Sequence, residues 1–326
     1  MRYLSSSFCA ILFSLAGHAQ EFPFTVRHFG IDQGLSNEWI SAISQDGKGY
    51  LWIGTQYGLN RFDGHEFEVF TYRPKDGLSS NWIRDIYASE NGLFLAPLGQ
   101  GLQEVRNLGG LFLPSWQQGG WGAVSVRDVN ICNGAYLVSS SGGLFEWIIS
   151  AKDSIQKPPK LISNGSYHGI DLWNNRWAAA GSPGLALENL DSFELVHQHG
   201  SVRAVSFVGQ DSLLSQSMEQ VYLTHQSDDG TWTTTILTDR LDITSPTHGI
   251  EPFIYRDLQD QFWLPTSSGL VCLNARLDVL RRISTNSLFA KAGLSGNGQL
   301  LSFHQDREGT YWVGTDRGIF QLLPQV

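Results

Sequence analysis

Cysteine is scarce in this chain of 326 residues, which contains three. Cys9 lies in an apolar segment at the amino terminus, so Cys132 and Cys272 are the two that remain for the rest of the chain. These two fall in different repeats of the pattern described below, too far apart for the short Cα separation that a disulfide requires. The sequence therefore predicts a fold that is stabilised by packing and contains no disulfide.

Positive charge is also sparse. The chain has 22 lysines and arginines against 31 aspartates and glutamates, which gives a formal net charge of −9. Proteins that bind duplex nucleic acid normally present a basic face to the phosphate backbone. The composition therefore argues against nucleic acid as a partner.

Long apolar runs are confined to the amino terminus. A basic start at Arg2 is followed by an apolar stretch over residues 8–16 and then by the small residues Gly17 and Ala19. This order predicts a signal peptide over residues 1–19, and hence an exported protein in the periplasm or outside the cell. A membrane anchor needs about 20 apolar residues. No later segment has them, so we expect no membrane span in this chain.

Motifs for catalysis and for cofactor binding are missing as well. The sequence contains no nucleophile elbow, no phosphate-binding glycine loop and no zinc-binding pair on a helix. We therefore predict no catalytic residues, no metal site and no cofactor. One enzymatic alternative stays open, because residues 44–52 resemble the Asp box of sialidases, although the spacing from Asp46 to Trp52 is one residue too long.

What the chain does have is a repeat. A Gly-Leu-like step recurs at a mean spacing of about 43 residues, which is the length of a four-stranded propeller blade. The glycine of the step stands at Gly58, Gly101, Gly143, Gly184, a degenerate Gln220, Gly269 and Gly318. The apolar runs between these positions are short, rich in aromatic and β-branched residues, and separated by Gly, Asn and Asp, as strands and turns are. The sequence therefore predicts an all-β fold, a seven-bladed β-propeller of four-stranded antiparallel blades.

An apolar, mostly aromatic position precedes most of these steps. It is occupied by Trp52, Phe94, Tyr136, Trp177, Leu214, Trp263 and Trp312. We interpret this ladder as packing between neighbouring blades, where each large side chain contributes about 2 to 3 kcal/mol by its buried area. Asp46 and Asp306 precede glycines and are interpreted as turn residues.

The ring has a predicted closure. Residues 24–29 and the segment after them match residues 67–72 and their continuation at a constant offset of 43. The second stretch is the outer strand of the first blade, so the first stretch is an outer strand with no blade before it. The last repeat shows three strands before Val326. We therefore expect residues 24–29 to complete the last blade of one domain over residues 20–326, with blades starting near 40, 82, 124, 167, 202, 248 and 300.

The stretch from Asp46 to Gly64 resembles the two-component regulator propeller repeat, with Asp-x-x-Gly, Leu-Trp-Ile-Gly-Thr, Gly-Leu and an aromatic-Asp-Gly turn. Asp306 to Phe320 resembles it well, and Asp257 to Leu270 in part. The resemblance implies the periplasmic sensor region of hybrid histidine kinases, often serving polysaccharide utilisation. It also implies further propeller or β-sandwich modules and a sensor kinase as partners. No kinase motif occurs in these residues, so kinase activity is expected in a separate or downstream module.

Ligand-binding candidates are the loops that lead into each blade and those that join its second and third strands, because both lie on one face around the channel. They are Asn37, Trp39, Gln56, Tyr57, Asn81, Trp82, Gln100, Trp121, Asp316 and Arg317. Aromatic rings flanked by amides would suit an oligosaccharide. The alternatives are that Trp39 and Trp82 are repeated packing residues, and that Asp316 and Arg317 are a solvated pair.

Three functions are compatible with these observations. The first is a non-catalytic exported sensor that recognises a glycan fragment or a partner protein through one loop face, with a shift in conformational population as its output. The second is an extracytoplasmic glycan hydrolase or lyase. The third is a scaffold propeller that binds protein and no small molecule. The type of repeat favours the first over the second.

Overall fold

The computed structural model describes residues 23–73, 77–89, 92–105, 124–148, 159–189, 192–197, 200–243 and 251–324. The predicted signal peptide and Trp121 lie outside these ranges. Within them the chain is almost entirely antiparallel β-sheet, with one 3₁₀ turn (Ile31–Gln33) and one helix, α1 (Thr285–Lys291). No helix in this described part is both long and apolar enough to cross a bilayer.

The strands form seven separate sheets, numbered here by the order of their first strands. The chain begins with β1 (Phe24–Phe29). Sheet 1 consists of β2 (Ile40–Gln45), β3 (Leu51–Thr55), β4 (Gly58–Phe62) and β5 (Phe67–Phe70). Sheet 2 consists of β6 (Ile83–Ser89), β7 (Gly92–Pro97) and β8 (Gln103–Val105). Sheet 3 consists of β9 (Val126–Cys132), β10 (Ala135–Ser140), β11 (Gly143–Ile148) and β12 (Lys160–Ser163).

The second half of the chain repeats this arrangement. Sheet 4 consists of β13 (Tyr167–Trp173), β14 (Arg176–Gly181), β15 (Gly184–Asn189) and β16 (Ser192–His197). Sheet 5 consists of β17 (Val202–Gly209), β18 (Ser212–Ser217), β19 (Val221–Gln226) and β20 (Trp232–Ile236). Sheet 6 consists of β21 (Tyr255–Arg256), β22 (Phe262–Thr266), β23 (Gly269–Leu273) and β24 (Val279–Ser284). Sheet 7 consists of β25 (Leu300–Gln305), β26 (Tyr311–Thr315), β27 (Gly318–Pro324) and β1.

The all-β propeller of antiparallel blades is confirmed, but the prediction of seven four-stranded blades needs a correction. Six sheets have four strands, and sheet 2 has three in the part of the chain that the structure describes. The three-residue strand β8 ends at Val105, and the next residue that the structure describes is Val124. The prediction assumed that a regular spacing of the Gly-Leu step implies four strands in every repeat, and the spacing alone does not establish this.

The closing strand lies where the sequence predicted it. β1 pairs antiparallel with β27 over six residue pairs, from Phe24 opposite Pro324 to Phe29 opposite Ile319. The order of sheet 7 is therefore β1-β27-β26-β25, with its outermost strand supplied by the start of the chain. This pairing joins the two ends of the described chain within one sheet, and it leaves β27 without an open edge.

Hydrophobic clusters fill the spaces between neighbouring sheets. Trp52 packs in a cluster with Ile83 and Ile86 of sheet 2. Trp312 packs in a cluster with Phe62 of sheet 1, which joins the last sheet to the first. Six of the seven ladder positions are buried, and Tyr136 is partly buried. The predicted role of the ladder in packing is confirmed.

The aspartates before the ladder tryptophans are turn residues, as predicted, and they also bind the indole. Oδ1 of Asp46 accepts hydrogen bonds from the backbone nitrogens of Lys48 and Tyr50, at 2.9 and 3.0 Å. Its Oδ2 accepts from Nε1 of Trp52 at 2.8 Å. The same indole-to-carboxylate bond recurs from Trp263 to Asp257 and from Trp312 to Asp306.

The Gly-Leu step has a local physical cause. Gly58 has a φ of +122°, and a Cβ added there would lie 2.6 Å from the carbonyl oxygen of Phe70 on the fourth strand. Gly318 repeats this geometry against Phe29 of the closing strand. The positive φ and the close carbonyl both favour glycine. The next residue, Leu59 in sheet 1, is fully buried.

Both described cysteines are free and buried. Burial raises the pKa of Cys272 to about 12, and burial also raises the pKa of Cys132. The prediction that these two cysteines form no disulfide is confirmed.

Candidate functional site

The first strands of the sheets surround a central channel. β2, β6, β9, β13 and β17 contact one another in this order, and β25 contacts β2. A cavity of about 420 Å³ occupies the end of the channel where the chain enters these strands. We call it the channel-mouth cavity. Its aromatic lining consists of Trp39, Trp82, Phe253 and Tyr255.

Three arginines on the first strands β6, β9 and β17 converge in this cavity, and we call them the arginine trio: Arg84, Arg127 and Arg203. All three lie around the carboxylate of Glu251. The nearest nitrogen–oxygen distances to Glu251 are 3.9 Å from Arg84, 3.4 Å from Arg127 and 3.8 Å from Arg203. The side chain of Glu251 is 49% exposed. Three positive groups are therefore held by one carboxylate that remains open to solvent.

The buried side chain of His168 contacts two arginines of the trio. Its side chain is 6% exposed, and Nη1 of Arg127 lies 2.5 Å and Nη1 of Arg203 3.0 Å from its Nδ1. Guanidinium groups can only donate, so the ring serves as acceptor. Burial, followed by the charges of the arginine trio, lowers the pKa of His168 to about 3. The ring is therefore neutral, and the positive charge comes from the arginines alone.

Aspartates recur at intervals of 43 residues on the consecutive first strands β6, β9 and β13: Asp85, Asp128 and Asp171. Oδ2 of Asp128 accepts from the backbone nitrogen of Ile170 at 2.7 Å. Oδ2 of Asp171 accepts from that of Phe207 at 2.8 Å. Each of these bonds joins one sheet to the first strand of the next, so the aspartates tie neighbouring sheets together around the channel.

Burial shifts the protonation of these carboxyl groups. It raises the pKa of Asp85 to about 6, against the opposing effects of backbone hydrogen bonds and of Arg84. Burial and then the charge of Asp85 raise the pKa of Asp128 well above its ordinary value. Burial also raises the pKa of Asp171. The pKa values of all three aspartates are therefore higher than those of exposed aspartates.

We predict that the Asp85→Asn variant becomes more stable relative to the parent as the pH rises from 4 to 7. Asp85 releases its proton at about pH 6 in the folded chain, but at about pH 4 when unfolded. The folded state thus binds more protons in this window, and the stability due to Asp85 is lost as the pH rises through 6. The difference should reach about 1 to 3 kcal/mol, measured by urea unfolding at each pH. Asp211→Asn, at an exposed site, is the matched control, and parallel curves for parent and Asp85→Asn would contradict the prediction.

Of the ten candidate ligand residues, the structure brings two into the channel-mouth cavity. Trp39 and Trp82 both line it, and Trp82 is 36% exposed. They stand at the ends of the segments that lead into β2 and β6. Trp121 lies outside the described residues.

Three polar candidates make bonds to nearby backbone. Oδ1 of Asn37 accepts from the backbone nitrogen of Trp39, and Oδ1 of Asn81 accepts from that of Tyr72. Oδ1 of Asp316 accepts from the backbone nitrogen of Gln299 at 2.8 Å. These side chains hold the loops in place and do not line the cavity.

The remaining candidates lie in turns outside the cavity lining. Arg317 donates to the carbonyl oxygen of Ser295, and its guanidinium lies 5.3 Å from the ring of Phe289. Gln56 and Tyr57 form the turn between β3 and β4, where Tyr57 is 59% exposed. The backbone nitrogen of Gln100 donates to Pro97 in the turn before β8.

The charged residues of the cavity were missed because the sequence reasoning searched loops, whereas these side chains stand on strands. A signal for them exists. The pair Arg84-Asp85 recurs as Arg127-Asp128 at the repeat spacing, on strands that are otherwise mostly apolar. A charged pair that recurs on the innermost strand of a propeller must face either the channel or the space between two sheets.

Comparison with known proteins supports the fold and the repeat. Residues 34–57 match the family model described as the two-component regulator propeller. A stretch of 75 residues is 41% identical to histidine kinase P4 of Formosa agariphila, and it covers 22% of this chain and 6% of that kinase. The matched stretch is thus a small part of a much longer protein.

Solved structures of similar fold cover nearly the whole chain. The extracellular domain of the putative hybrid two-component system BT3049 from B. thetaiotaomicron has a TM-score of 0.66 at 18% identity, over 92% of this chain and 42% of that one. Virginiamycin B lyase from Staphylococcus aureus has a TM-score of 0.65 at 11% identity, over 93% of this chain and 100% of that one. At these identities the likeness is one of fold. The family match confirms the resemblance predicted from the sequence, and the chain carries a two-component regulator propeller repeat at residues 34–57.

Proposed function

We propose that this chain is the exported, non-catalytic, ligand-recognising propeller of a two-component signalling system, and that its ligand binds in the channel-mouth cavity. The observation that carries the proposal is the convergence of Trp39, Trp82 and the arginine trio in one open cavity. Its volume of about 420 Å³ falls within the range of about 300 to 1,000 Å³ that is typical of small-molecule sites.

The architecture of the proposal is a closed ring of seven blades. We infer that sheet 2 is the seventh blade, because its residues join two hydrophobic clusters. One includes Trp52 of sheet 1 and the other includes Val129 of sheet 3. Residues 1–19 would act as the signal peptide, which places residues 20–326 in the periplasm or outside the cell. The similarity in fold to the extracellular domain of the BT3049 two-component system supports this location.

The ligand that we propose is a glycan fragment. Trp39, Trp82 and Phe253 line the cavity, and apolar rings beside hydrogen-bond donors suit the two kinds of surface on a sugar. Binding would shift the population of states in which the propeller docks against its partner, a sensor kinase. The match to a histidine kinase supports that choice of partner.

A second candidate function is a glycan hydrolase or lyase. It rests on Asp85 and Asp128, which line the same cavity and have raised pKa values. A carboxyl group that keeps its proton is what a general acid requires. The first function is favoured because Asp128 already accepts a backbone hydrogen bond that ties two sheets together.

The test is a thermal-shift screen of the purified chain against a broad panel of oligosaccharides, followed by calorimetry of each hit. A ligand that binds only the folded state raises the melting temperature. We expect a hit, and we expect Trp82→Ala to weaken it by about tenfold, as loss of an aromatic contact residue typically does. Tyr57→Ala is the matched control, because it removes an exposed aromatic ring outside the cavity.

Other outcomes would redirect the proposal. Turnover of the ligand that Asp128→Asn abolishes would establish the enzyme instead. No shift with any glycan would favour a scaffold that binds protein alone. Equal affinity of the parent and Trp82→Ala would mean that the ligand binds elsewhere on the ring.

A further inference from the structure

The channel-mouth cavity brings three arginines together in an acidic chain, although Asp85 and Asp128 also line it. The chain carries a formal net charge of −9, yet three of its arginines face one carboxylate in this cavity. Like charges repel one another, more strongly where burial removes water. Their accumulation on β6, β9 and β17 around one cavity therefore indicates a site that is built for negative charge.

The contacts within the cavity do not satisfy the arginines. Charge-assisted hydrogen bonds are about 2.7 to 2.9 Å long, whereas the three arginine-to-Glu251 distances range from 3.4 to 3.9 Å. In the described part of the chain, the buried Nε atoms of Arg127 and Arg203 have no hydrogen-bond partner. Within the described residues, two buried donors of the trio are therefore left without an acceptor.

The contacts of Glu251 are weak enough for an external anion to displace it from the arginine trio. Its carboxylate is half-exposed and makes one hydrogen bond to the trio, from Arg127 at 3.4 Å. His168 is neutral and accepts hydrogen bonds from Arg127 and Arg203, and its Nδ1 lies 3.7 Å from Oε2 of Glu251. An external oxyanion could therefore take the place of Glu251 without disturbing the support of the arginines.

We propose that the arginine trio binds a carboxylate or sulfate group carried by a saccharide. Glu251 is the intramolecular carboxylate that this group displaces. The inference rests on the proposed function, since it concerns the same cavity, and it adds that the glycan is acidic. Planar guanidinium groups match the oxygen pairs of carboxylates and sulfates, which neutral sugars lack.

The experiment is calorimetric titration of the purified chain with three oligosaccharide sets matched in length: neutral, uronic-acid-containing and sulfated. We expect at least one acidic set to bind about tenfold or more tightly than the neutral set. Raising the salt from 50 to 500 mM should weaken the acidic ligand and leave the neutral one unchanged, because salt screens charge pairs. The comparison of the two acidic sets identifies which oxyanion is preferred.

Two variants and a control make the test specific. Arg203→Gln should weaken the acidic ligand about tenfold and remove much of its salt dependence. Glu251→Gln should strengthen it about threefold to tenfold, because the internal competitor loses its charge. Glu251 is half-exposed, so this variant remains informative if Arg203→Gln fails to fold. Arg276→Gln, which removes an exposed arginine outside the cavity, should change nothing.

Failure of this inference differs from failure of the proposed function. Equal binding of neutral and acidic sets, or unchanged affinity in Glu251→Gln, would overturn the acidic ligand and leave a glycan sensor. No binding of any set would overturn both. Capture of an acidic peptide in place of a saccharide would also overturn the inference, because the trio would then serve a protein partner.

Discussion

Replacing Trp312 with alanine should destabilise the protein by about 3 to 5 kcal/mol, as removal of a large buried side chain generally does. Trp312 is 4% exposed, and it packs in the cluster that joins sheet 7 to sheet 1. Its ring lies 5.8 Å from that of Phe62 and 6.2 Å from that of Phe29, so one side chain contacts the first sheet and the closing strand together. The loss would be measured by urea unfolding.

Part of the expected loss of stability comes from the hydrogen bond of the indole nitrogen, and a second variant measures that part separately. Trp312 donates to Oδ2 of Asp306 at 2.8 Å, and burial raises the pKa of that aspartate. Trp312→Phe keeps most of the ring but removes the donor, so it should cost about 1 to 3 kcal/mol. Tyr57→Ala, at an exposed turn, should change stability by less than about 0.5 kcal/mol. If Trp312→Ala unfolds at the same urea concentration as the parent, the ladder does not hold the sheets together.

The repeat could be predicted from the sequence because its signal is local. Gly58 and Gly318 are fixed by a positive φ and by the carbonyl oxygen of the next strand, and each is followed by a fully buried apolar residue. Such constraints act within a few residues, so they leave similar residues in most copies. The closing strand was predictable for a related reason, since Phe24 and Phe67 occupy equivalent positions in two copies.

The strand count of sheet 2 could not be predicted in the same way. Its step at Gly101 keeps the regular spacing, but β8 covers three residues and no described strand pairs with its outer edge. A fourth strand depends on pairing with that edge, and such pairing needs no particular residue. Spacing therefore located the repeat but not its outer boundary.

Of the residues that line the candidate site, the sequence predicted only the aromatic residues Trp39 and Trp82. Trp39 and Trp82 are marked by their place before a first strand, whereas the arginine trio is assembled from strands that are 43 and 76 residues apart in the chain. Arg203 lies in a repeat of irregular length, so periodicity alone would not align it with Arg127. Glu251 comes from the segment that leads into β21. The convergence of these groups depends on how the ring closes, which no local pattern records.

Removing residues 24–29 should have an equally large effect. β1 supplies six residue pairs to sheet 7, and Phe24 is buried in an edge-to-face contact with Tyr311 at 5.7 Å. Nε2 of His28 also lies 2.7 Å from the carbonyl oxygen of Arg317. The deletion exposes β27 as an edge strand, and unpaired edges promote association between chains. We expect a melting temperature at least 10 °C below that of the parent, since about 1 kcal/mol corresponds to a few degrees in a chain of this size, and we expect aggregates in size-exclusion chromatography.

Point variants keep this test informative if the deleted chain cannot be purified. Phe24→Ala should cost about 3 to 5 kcal/mol, because it empties a buried position between β1 and sheet 7. Thr25→Ala, at the next and exposed position of the same strand, should cost less than about 0.5 kcal/mol. Both variants keep the backbone hydrogen bonds of β1. The difference in stability between Phe24→Ala and Thr25→Ala therefore measures loss of packing and not loss of strand pairing. A monomer as compact and heat-resistant as the parent after the deletion would show that the ring does not need β1, and the closure would then have to reside in the cluster around Trp312.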